Sequence, residues 1–135
     1  MGGMSEAADN PRVFYPAFRY DDARAAIAWL GEAFGFVAQE VYDGPDGTVA
    51  HAQLTFNGGM IMLGSSRGGR SKPKQPEGTG SSVYAYVADV DAHCARARAA
   101  GARIVREPCE TDYGSREYSA EDCEGYGWSF GTYHP

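Results

Sequence analysis

The sequence predicts an α+β fold built from two tandem βαβββ modules, and two observations lead to this prediction. A strand-like run followed by an Ala-rich helical pattern occurs twice, over residues 13–35 and again over residues 83–101. Each copy then ends in a hairpin pattern, at residues 51–63 in the first half and at residues 113–133 in the second. An internal repeat of this kind decides the fold, because each copy must then form the same structural unit.

The first module opens with strand formers at residues 13–20, where Pro16 lacks the N–H that a central strand would donate. We therefore expect this strand at a sheet edge or a bulge. Asp21 or Asp22 suits the N-cap of the helix that follows. Apolar residues then recur at helical spacing, and Gly35 fits the left-handed position that ends a helix.

Three further strands complete the first module. Residues 36–42 and 48–56 predict the second and third strands, separated by the turn-forming residues 43–47. The fourth strand is expected at residues 60–63, after the turn Asn57-Gly58-Gly59.

Residues 64–81 are rich in Gly, Ser and Pro and predict a linker between the modules. The second module restarts with a strand at residues 83–87 and a helix that Asp89 caps and Gly101 ends. Its remaining predicted elements are a strand at residues 102–106, a loop at residues 108–112, a strand at residues 114–119 and the final hairpin with its acidic turn at residues 121–125.

The chain of 135 residues is expected to form one domain. We place a loose N-terminal tail at residues 1–12, module one at 13–63 and module two at 82–135. Each sheet should carry its helix on one face and curve with its other face toward a common cup. A cup of this kind is a natural binding site for a small organic molecule.

Composition narrows the range of partners. Twelve basic and eighteen acidic residues give a net charge of -6, which argues against nucleic acid as a partner. No apolar run approaches the roughly 20 residues that cross a bilayer. Cys94, Cys109 and Cys123 are odd in number and form no CxxC pair, which favours the reduced cytoplasm and predicts no disulfide.

Four segments carry a resemblance to the vicinal oxygen chelate superfamily, which includes glyoxalase I, bleomycin-resistance proteins and extradiol dioxygenases. They are FRYDDARAAIAWLGEAFGF, HAQLTFNGGMIMLGS, VYAYVADVDAHCARARAAGARIVREP and YGSREYSAEDCEGYGWSFGTY. The chain is most similar to the bacterial glyoxalase-like subgroup. The resemblance implies paired βαβββ modules and a homodimer, in which the two modules that form a cup belong either to one chain or, as is common in this superfamily, to two chains.

The resemblance also implies where a metal would bind, because metal-dependent members hold their ion with His and Glu on the first and last strands of the modules. Counting back from the helix-capping aspartates places these positions near Phe14 and Ser82, with Met62 and Ser129 on the closing strands. Phenyl, thioether and hydroxyl groups are poor ligands for a divalent metal. We therefore predict that the family's metal site is absent and that no cofactor is needed.

Polar candidates lie on two strands. His51 shares a strand face with Gln53 and could serve as a hydrogen-bond donor or general base, or as a structural histidine. Glu117 could act as a base or metal donor and Arg116 as an anion clamp, or the two could form an exposed strand pair. His93, in the first turn of a helix, and His134, in the tail, are expected to face solvent.

An aromatic and Met-rich strand face favours a flat organic ligand. Its predicted members are Phe14, Phe18, Met60, Met62, Tyr84 and Tyr86, with Ser129 beside them. The alternative interpretation is ordinary core packing.

Two functions fit these features. The first is a metal-free, dimeric binding protein for a small aromatic or cationic molecule, such as an antibiotic that it sequesters. The second is a glyoxalase-type lyase or dioxygenase that uses a divalent metal, with His51 and Glu117 as its best donors.

Overall fold

The computed structural model describes residues 13–66 and 83–135, and it confirms the α+β fold with two βαβββ modules. Neither helix within these residues has the length and hydropathy needed to span a bilayer. The elements are β1 Ala17–Tyr20, α1 Ala23–Phe34, β2 Val37–Asp43, β3 Val49–Phe56, β4 Gly59–Ser65, β5 Val83–Tyr86, α2 Val90–Ala99, β6 Arg103–Glu110, β7 Arg116–Glu121 and β8 Gly127–Gly131.

The two modules form two four-stranded sheets with matching topology. Their strand orders are β1-β4-β3-β2 and β5-β8-β7-β6, and in each sheet the first strand runs parallel to the last. The other pairs are antiparallel. Strand β1 lies at an edge of its sheet, as Pro16 predicts, and the Pro16 carbonyl still accepts a hydrogen bond from the Met62 N–H at 2.9 Å.

Local sequence signals account for the helix ends and one hairpin. The Asp22 and Asp89 side chains accept hydrogen bonds from backbone N–H groups in the first turns of α1 and α2. Gly35 ends α1 with φ 94°, a left-handed value that costs glycine little. Asn57 and Gly58 both have positive φ and join β3 to β4 as a tight hairpin turn.

Several predicted boundaries were wrong. Strand β1 begins at Ala17 rather than at residue 13, and β4 continues through Ser65 into the predicted linker. Strand β6 continues to Glu110, so the loop predicted from Pro108 begins later. It can do so because the register with β7 shifts between Arg106 and Cys109, where Pro108 interrupts regular pairing. The predicted tail and the rest of the linker lie outside the described residues.

The hydrophobic core joins the helix-facing sides of both sheets. Ile61 and Leu63 on β4 are buried, and so are Trp128 and Phe130, which take the same places on β8. Phe34 at the end of α1 packs against Trp128 and Phe130, with ring centroids 5.5 Å and 4.8 Å away. A helix of module one therefore packs on the sheet of module two, and the modules share one core.

The acidic turn of the last hairpin holds the two modules together through Asp122. Asp122 is 7% exposed, and its Oδ2 accepts hydrogen bonds from the Tyr20 hydroxyl at 2.6 Å and the Trp128 indole N–H at 3.1 Å. Its Oδ1 accepts from the backbone N–H groups of Glu124 and Tyr126, both at 3.0 Å. One buried side chain thus fixes the turn and reaches across to β1.

Glu124 and Tyr126 extend this connection to module one. The Glu124 carboxylate accepts from the N–H groups of Asp21 at 2.7 Å and Asp22 at 2.9 Å, just before α1. A negative charge at this end of a helix is favourable, because it complements the helix dipole. The Tyr126 hydroxyl donates to the Arg19 carbonyl on the edge strand β1 at 2.9 Å.

Side chains of α2 satisfy carbonyls at the other end of α1. Arg96 donates to the carbonyls of Glu32 at 2.8 Å and Gly31 at 2.9 Å. The His93 Nε2 lies 2.8 Å from the Phe34 carbonyl. The last turn of a helix leaves its carbonyls without partners within the helix, so these contacts stabilise α1 and dock it on α2.

The prediction that His93 faces solvent was wrong, because its ring packs inside the protein. Its Nδ1 lies 2.6 Å from the Tyr118 hydroxyl, and its ring lies 4.4 Å from that of Phe130. Since the Phe34 carbonyl can only accept, Nε2 carries the proton, and a neutral ring leaves Nδ1 free to accept from Tyr118. Burial, with a contribution from Arg96, lowers the pKa of His93 below its ordinary value even though the Phe34 carbonyl favours the charged form.

We expect the substitution Asp122→Ala to lower the free energy of unfolding by roughly 2 to 5 kcal/mol, because it leaves the buried Tyr20 hydroxyl and Trp128 N–H without their acceptor. Chemical denaturation measures this change. Asp112 is exposed, and Asp112→Ala is the matched control with an expected change within about 0.5 kcal/mol. Equal effects of the two substitutions would contradict the structural role of Asp122.

We expect the stability of the protein to fall as the pH drops below about 6.5, because the unfolded histidine takes up a proton there while the buried His93 resists it. His93→Gln should remove this part of the pH dependence, and His51→Gln should retain it. Denaturation at pH values between 7.5 and 5.5 checks the comparison. An unchanged slope in His93→Gln would show that this ring is not the titrating group.

Candidate functional site

A cavity at the boundary between the modules is lined by residues of β4 and β5. We call it the inter-module cavity, and its volume is about 560 Å³. That volume is within the range of roughly 300 to 1,000 Å³ typical of small-molecule sites. Its walls are mainly aromatic and apolar, and they include Phe14, Phe36, Phe56, Met60, Tyr86 and Trp128.

One side of the inter-module cavity is an aromatic stack anchored to the backbone. The Tyr86 and His134 rings lie 4.5 Å apart and are nearly parallel, at 22°. The Asn57 side chain donates to the Tyr86 carbonyl at 2.8 Å, so the β3–β4 turn of module one holds the edge strand of module two. Phe14 lies at the same cavity with 89% of its surface exposed. The cavity therefore combines a positioned aromatic wall with an exposed phenyl group.

A second cavity of about 460 Å³ lies on the face of sheet two that points away from the helices. We call it the tyrosine cavity, because Tyr84, Tyr113 and Tyr133 line it together with Glu117 and Ser129. The Ser129 hydroxyl is 2.7 Å from that of Ser119 on the neighbouring strand. Tyr84 lines both cavities, so strand β5 separates two concave surfaces.

Glu117 is the charged group of the tyrosine cavity. It is 6% exposed and accepts hydrogen bonds from the Tyr113 hydroxyl at 2.8 Å and from Arg106 at 3.0 Å. Burial on its own raises the pKa of Glu117. Hydrogen bonds from Tyr113, Arg106 and Ser115 outweigh burial and lower the pKa below its usual value, so Glu117 is ionised at neutral pH.

Gly131 allows Tyr84 and Glu117 to meet. A Cβ atom at Gly131 would lie 2.5 Å from the Glu117 Cγ and 2.8 Å from the Tyr84 hydroxyl, both far too close. The Tyr84 hydroxyl donates to the Tyr133 carbonyl at 2.5 Å. The absence of a side chain at this position of β8 is thus a requirement of the cavity's geometry.

His51 lies elsewhere, on the equivalent face of sheet one. Its Nε2 is 3.1 Å from the Gln53 Oε1, and the Gln53 amide donates to Gln39 at 3.0 Å. The Tyr42 ring lies 5.9 Å from the His51 ring. A shallow cavity of about 120 Å³ beside it is lined by His51 and Met62, so His51 and Glu117 line different cavities.

Two further predicted ligand-binding residues have structural contacts. Phe18 is 7% exposed and stacks on Trp128 at 5.3 Å, which places it in the core between the modules. Arg116 contacts Asp91 through two hydrogen bonds of 2.8 Å and 2.9 Å, and Glu110 at 3.2 Å. These carboxylates raise the pKa of Arg116, and the network links α2, β6 and β7.

The strand pairing shows which residues lie beside Met62 and Ser129, the metal-site positions expected on the closing strands β4 and β8. Ala17 pairs with Met62, and Tyr84 pairs with Ser129. Phe14 precedes β1, and Ser82 lies outside the described residues. The paired residues offer no carboxylate or imidazole. Within residues 13–66 and 83–135, no group of three or more His, Cys, Asp or Glu side chains could hold a metal ion.

The chain belongs to the glyoxalase/bleomycin resistance protein/dioxygenase superfamily, whose family model matches residues 12–130. An uncharacterized protein of Mycobacterium bovis is 36% identical over 121 residues, covering 86% of this chain and 80% of the relative. An uncharacterized protein of Mycobacterium tuberculosis is also 36% identical, with 86% and 71% coverage.

Solved structures agree with this assignment. TioX from Micromonospora sp. ML1 is 31% identical with a TM-score of 0.69, covering 89% of this chain and 94% of TioX. Glyoxalase I from Zea mays has a TM-score of 0.71 at 24% identity, and the match covers 92% of this chain and 45% of the maize chain. At that identity the maize enzyme shows the shared fold alone.

Three residues that shape the cavities show little sign of this role in the sequence. From the sequence, Asn57 predicts only a turn, His134 a solvent-facing tail residue and Tyr133 the end of the final hairpin. His134 is indeed exposed, yet it stacks on Tyr86. A tail that folds back on a strand leaves no periodic signal, because its contacts are set by tertiary structure. The aromatic character of Tyr133-His134 was the one available sign.

Proposed function

We propose that this protein binds a small, flat organic molecule in the inter-module cavity without using a metal ion. The observation that supports this most is the cavity itself, which has about 560 Å³ of space and a mainly aromatic and apolar wall. Four of the predicted ligand-binding residues line it, namely Phe14, Met60, Tyr84 and Tyr86. Stacking on aromatic faces would supply affinity, and the few polar groups would set orientation.

A metal-free mechanism of binding is supported by the side chains at the paired register positions. Met62 and Ser129 on the closing strands, and the residues Ala17 and Tyr84 that pair with them, provide no carboxylate or imidazole. The rival function, a metal-dependent lyase or dioxygenase using His51 and Glu117, requires two residues that line separate cavities.

Sequestration of an antibiotic-like compound is the biological role we infer for this binding. The family includes bleomycin-resistance proteins, and the net charge of -6 suits a cationic compound. We place the protein in the cytoplasm as a homodimer. Support for self-association comes from the edge strand β2, where Val37 and Val41 are 63% and 39% exposed.

We expect indole and 2-naphthol, as simple flat probes, to bind in the inter-module cavity. In ¹H–¹⁵N NMR titrations the shifts should concentrate around Asn57, Tyr86 and the Trp128 indole. Tyr86→Ala should weaken binding about tenfold through the loss of one stacking face. Tyr42→Ala, which removes an exposed tyrosine from the other sheet, is the matched control and should bind as the wild type does.

Two results would contradict the proposal. One is binding that Tyr86→Ala and Tyr42→Ala affect equally. The other is a stoichiometric transition metal in elemental analysis that disappears in His51→Ala or Glu117→Ala, since this would favour the metal-dependent enzyme. We expect instead that Mn, Fe, Co, Ni, Cu and Zn are neither retained nor able to raise the melting temperature.

We expect sedimentation equilibrium at micromolar concentration to give a mass twice the 14.5 kDa of one chain. Replacing Val37 with Lys should shift the population toward single chains, because a charge at an apolar contact opposes its burial. A wild-type mass equal to that of one chain would exclude the homodimer.

A further inference from the structure

The tyrosine cavity places three aromatic rings around one buried carboxylate. We propose that this cavity is a separate binding site for an organic ammonium cation, which the faces of Tyr84, Tyr113 and Tyr133 and the charge of Glu117 recognise together. Aromatic faces attract cations through the negative charge of their π-electrons. This site is distinct from the inter-module cavity, and a ligand can bind in either cavity while the other is empty.

The rings are arranged as walls rather than as a single stack. The Tyr113 and Tyr133 ring centroids are 5.7 Å apart, and the ring planes are inclined at 81°. Tyr84 contributes the third ring, and its position is fixed by the hydrogen bond from its hydroxyl to the Tyr133 carbonyl. A rounded cation can therefore contact more than one aromatic surface at once.

The phenol groups remain neutral and oriented. The Tyr113 hydroxyl donates to Glu117, and this hydrogen bond raises the pKa of Tyr113. Burial raises the pKa of Tyr84. Both hydroxyl protons are thus committed to partners, so the part of each side chain left for a ligand is its aromatic ring. Faces of this kind suit methylated ammonium groups better than hydrogen-bonding amines.

Glu117 supplies the only charged side chain among the described residues that line the cavity. Arg106 pairs with one carboxylate oxygen, but it lies on β6, is 45% exposed and does not line the cavity. A carboxylate has about four lone-pair directions, so hydrogen bonds from Arg106, Tyr113 and Ser115 leave about one of them for a further contact. An incoming cation thus meets an ionised, largely desolvated carboxylate behind the aromatic faces.

The chemistry of the walls excludes a metal ion as the preferred occupant. Hard cations such as calcium take six or more oxygen ligands, and this cavity offers one carboxylate and neutral hydroxyls. Its volume of about 460 Å³ instead falls within the range of organic ligand sites. Gly131 preserves that space, since any side chain there would collide with Glu117 and Tyr84.

The test compares choline with 3,3-dimethyl-1-butanol, a neutral molecule of the same shape, by NMR titration of the full chain. We expect choline to bind at least tenfold more tightly, with shifts around Glu117, Tyr133 and Ser129. Tyr133→Leu should weaken choline binding roughly three- to thirtyfold through the loss of one aromatic face. The backbone N–H and carbonyl of residue 133 contact Ser115 and Tyr84 without using the aromatic ring, so the variant should fold.

Tyr42→Leu removes a similarly exposed tyrosine from sheet one and should leave choline binding unchanged. Glu117→Gln keeps the shape of the side chain and should remove the preference for choline over the alcohol. Equal binding of choline and the alcohol, or no choline binding at all, would overturn the ammonium site. Indole binding at the inter-module cavity is tested separately, by comparing the wild type with Tyr86→Ala. The absence of choline binding can therefore be distinguished from the absence of indole binding.

Discussion

The carboxylate of Asp122 accepts hydrogen bonds from both modules, and the relation between the modules depends on it. It is buried beside Tyr20 and Trp128, and the turn that carries it also presents Glu124 to the start of α1 and Tyr126 to the edge of β1. Module one makes an equivalent contact. Asn57, in the turn of its last hairpin, donates a hydrogen bond to the edge strand β5 of module two. Each module thus uses its last hairpin to secure the first strand of the other, which fixes the gap that becomes the inter-module cavity.

Residues of strand β5 line both cavities. Because side chains alternate across a strand, Tyr84 and Tyr86 point to one side and Val83 and Ala85 to the other. Tyr84 and Val83 line both cavities, so this short edge strand borders two sites of different chemistry. The inter-module cavity is aromatic and apolar, whereas the tyrosine cavity adds a buried carboxylate. Small-molecule binding therefore rests on one strand that the Asp122 turn and Asn57 hold in place.

The sequence predicts the repeat, the caps and the hairpins because these depend on local patterns at Asp22, Gly35, Asp89 and Asn57-Gly58. It predicts side-chain faces less well, because a one-residue error in register moves a whole strand's side chains to the opposite face. Phe18 pairs with the buried Leu63 and is itself 7% exposed, so its side chain packs in the core. The sequence predicts the acidic turn itself, but for a different reason it shows neither the buried position of His93 nor the contacts of Asp122. Each has a partner in module one, Phe34 for His93 and Tyr20 for Asp122, and no pattern within one module shows which groups will meet across the boundary.

The most direct test of this account is a double-mutant cycle between Tyr20→Phe and Asp122→Ala, measured as free energies of unfolding. In the wild type, Tyr20→Phe removes a hydrogen bond to Asp122, whereas in the Asp122→Ala background the Tyr20 hydroxyl has already lost its acceptor. The account predicts a coupling energy of about 1 to 3 kcal/mol between the two positions. Additive effects would contradict it, because they would mean that the contact across the module boundary does not hold the two halves together.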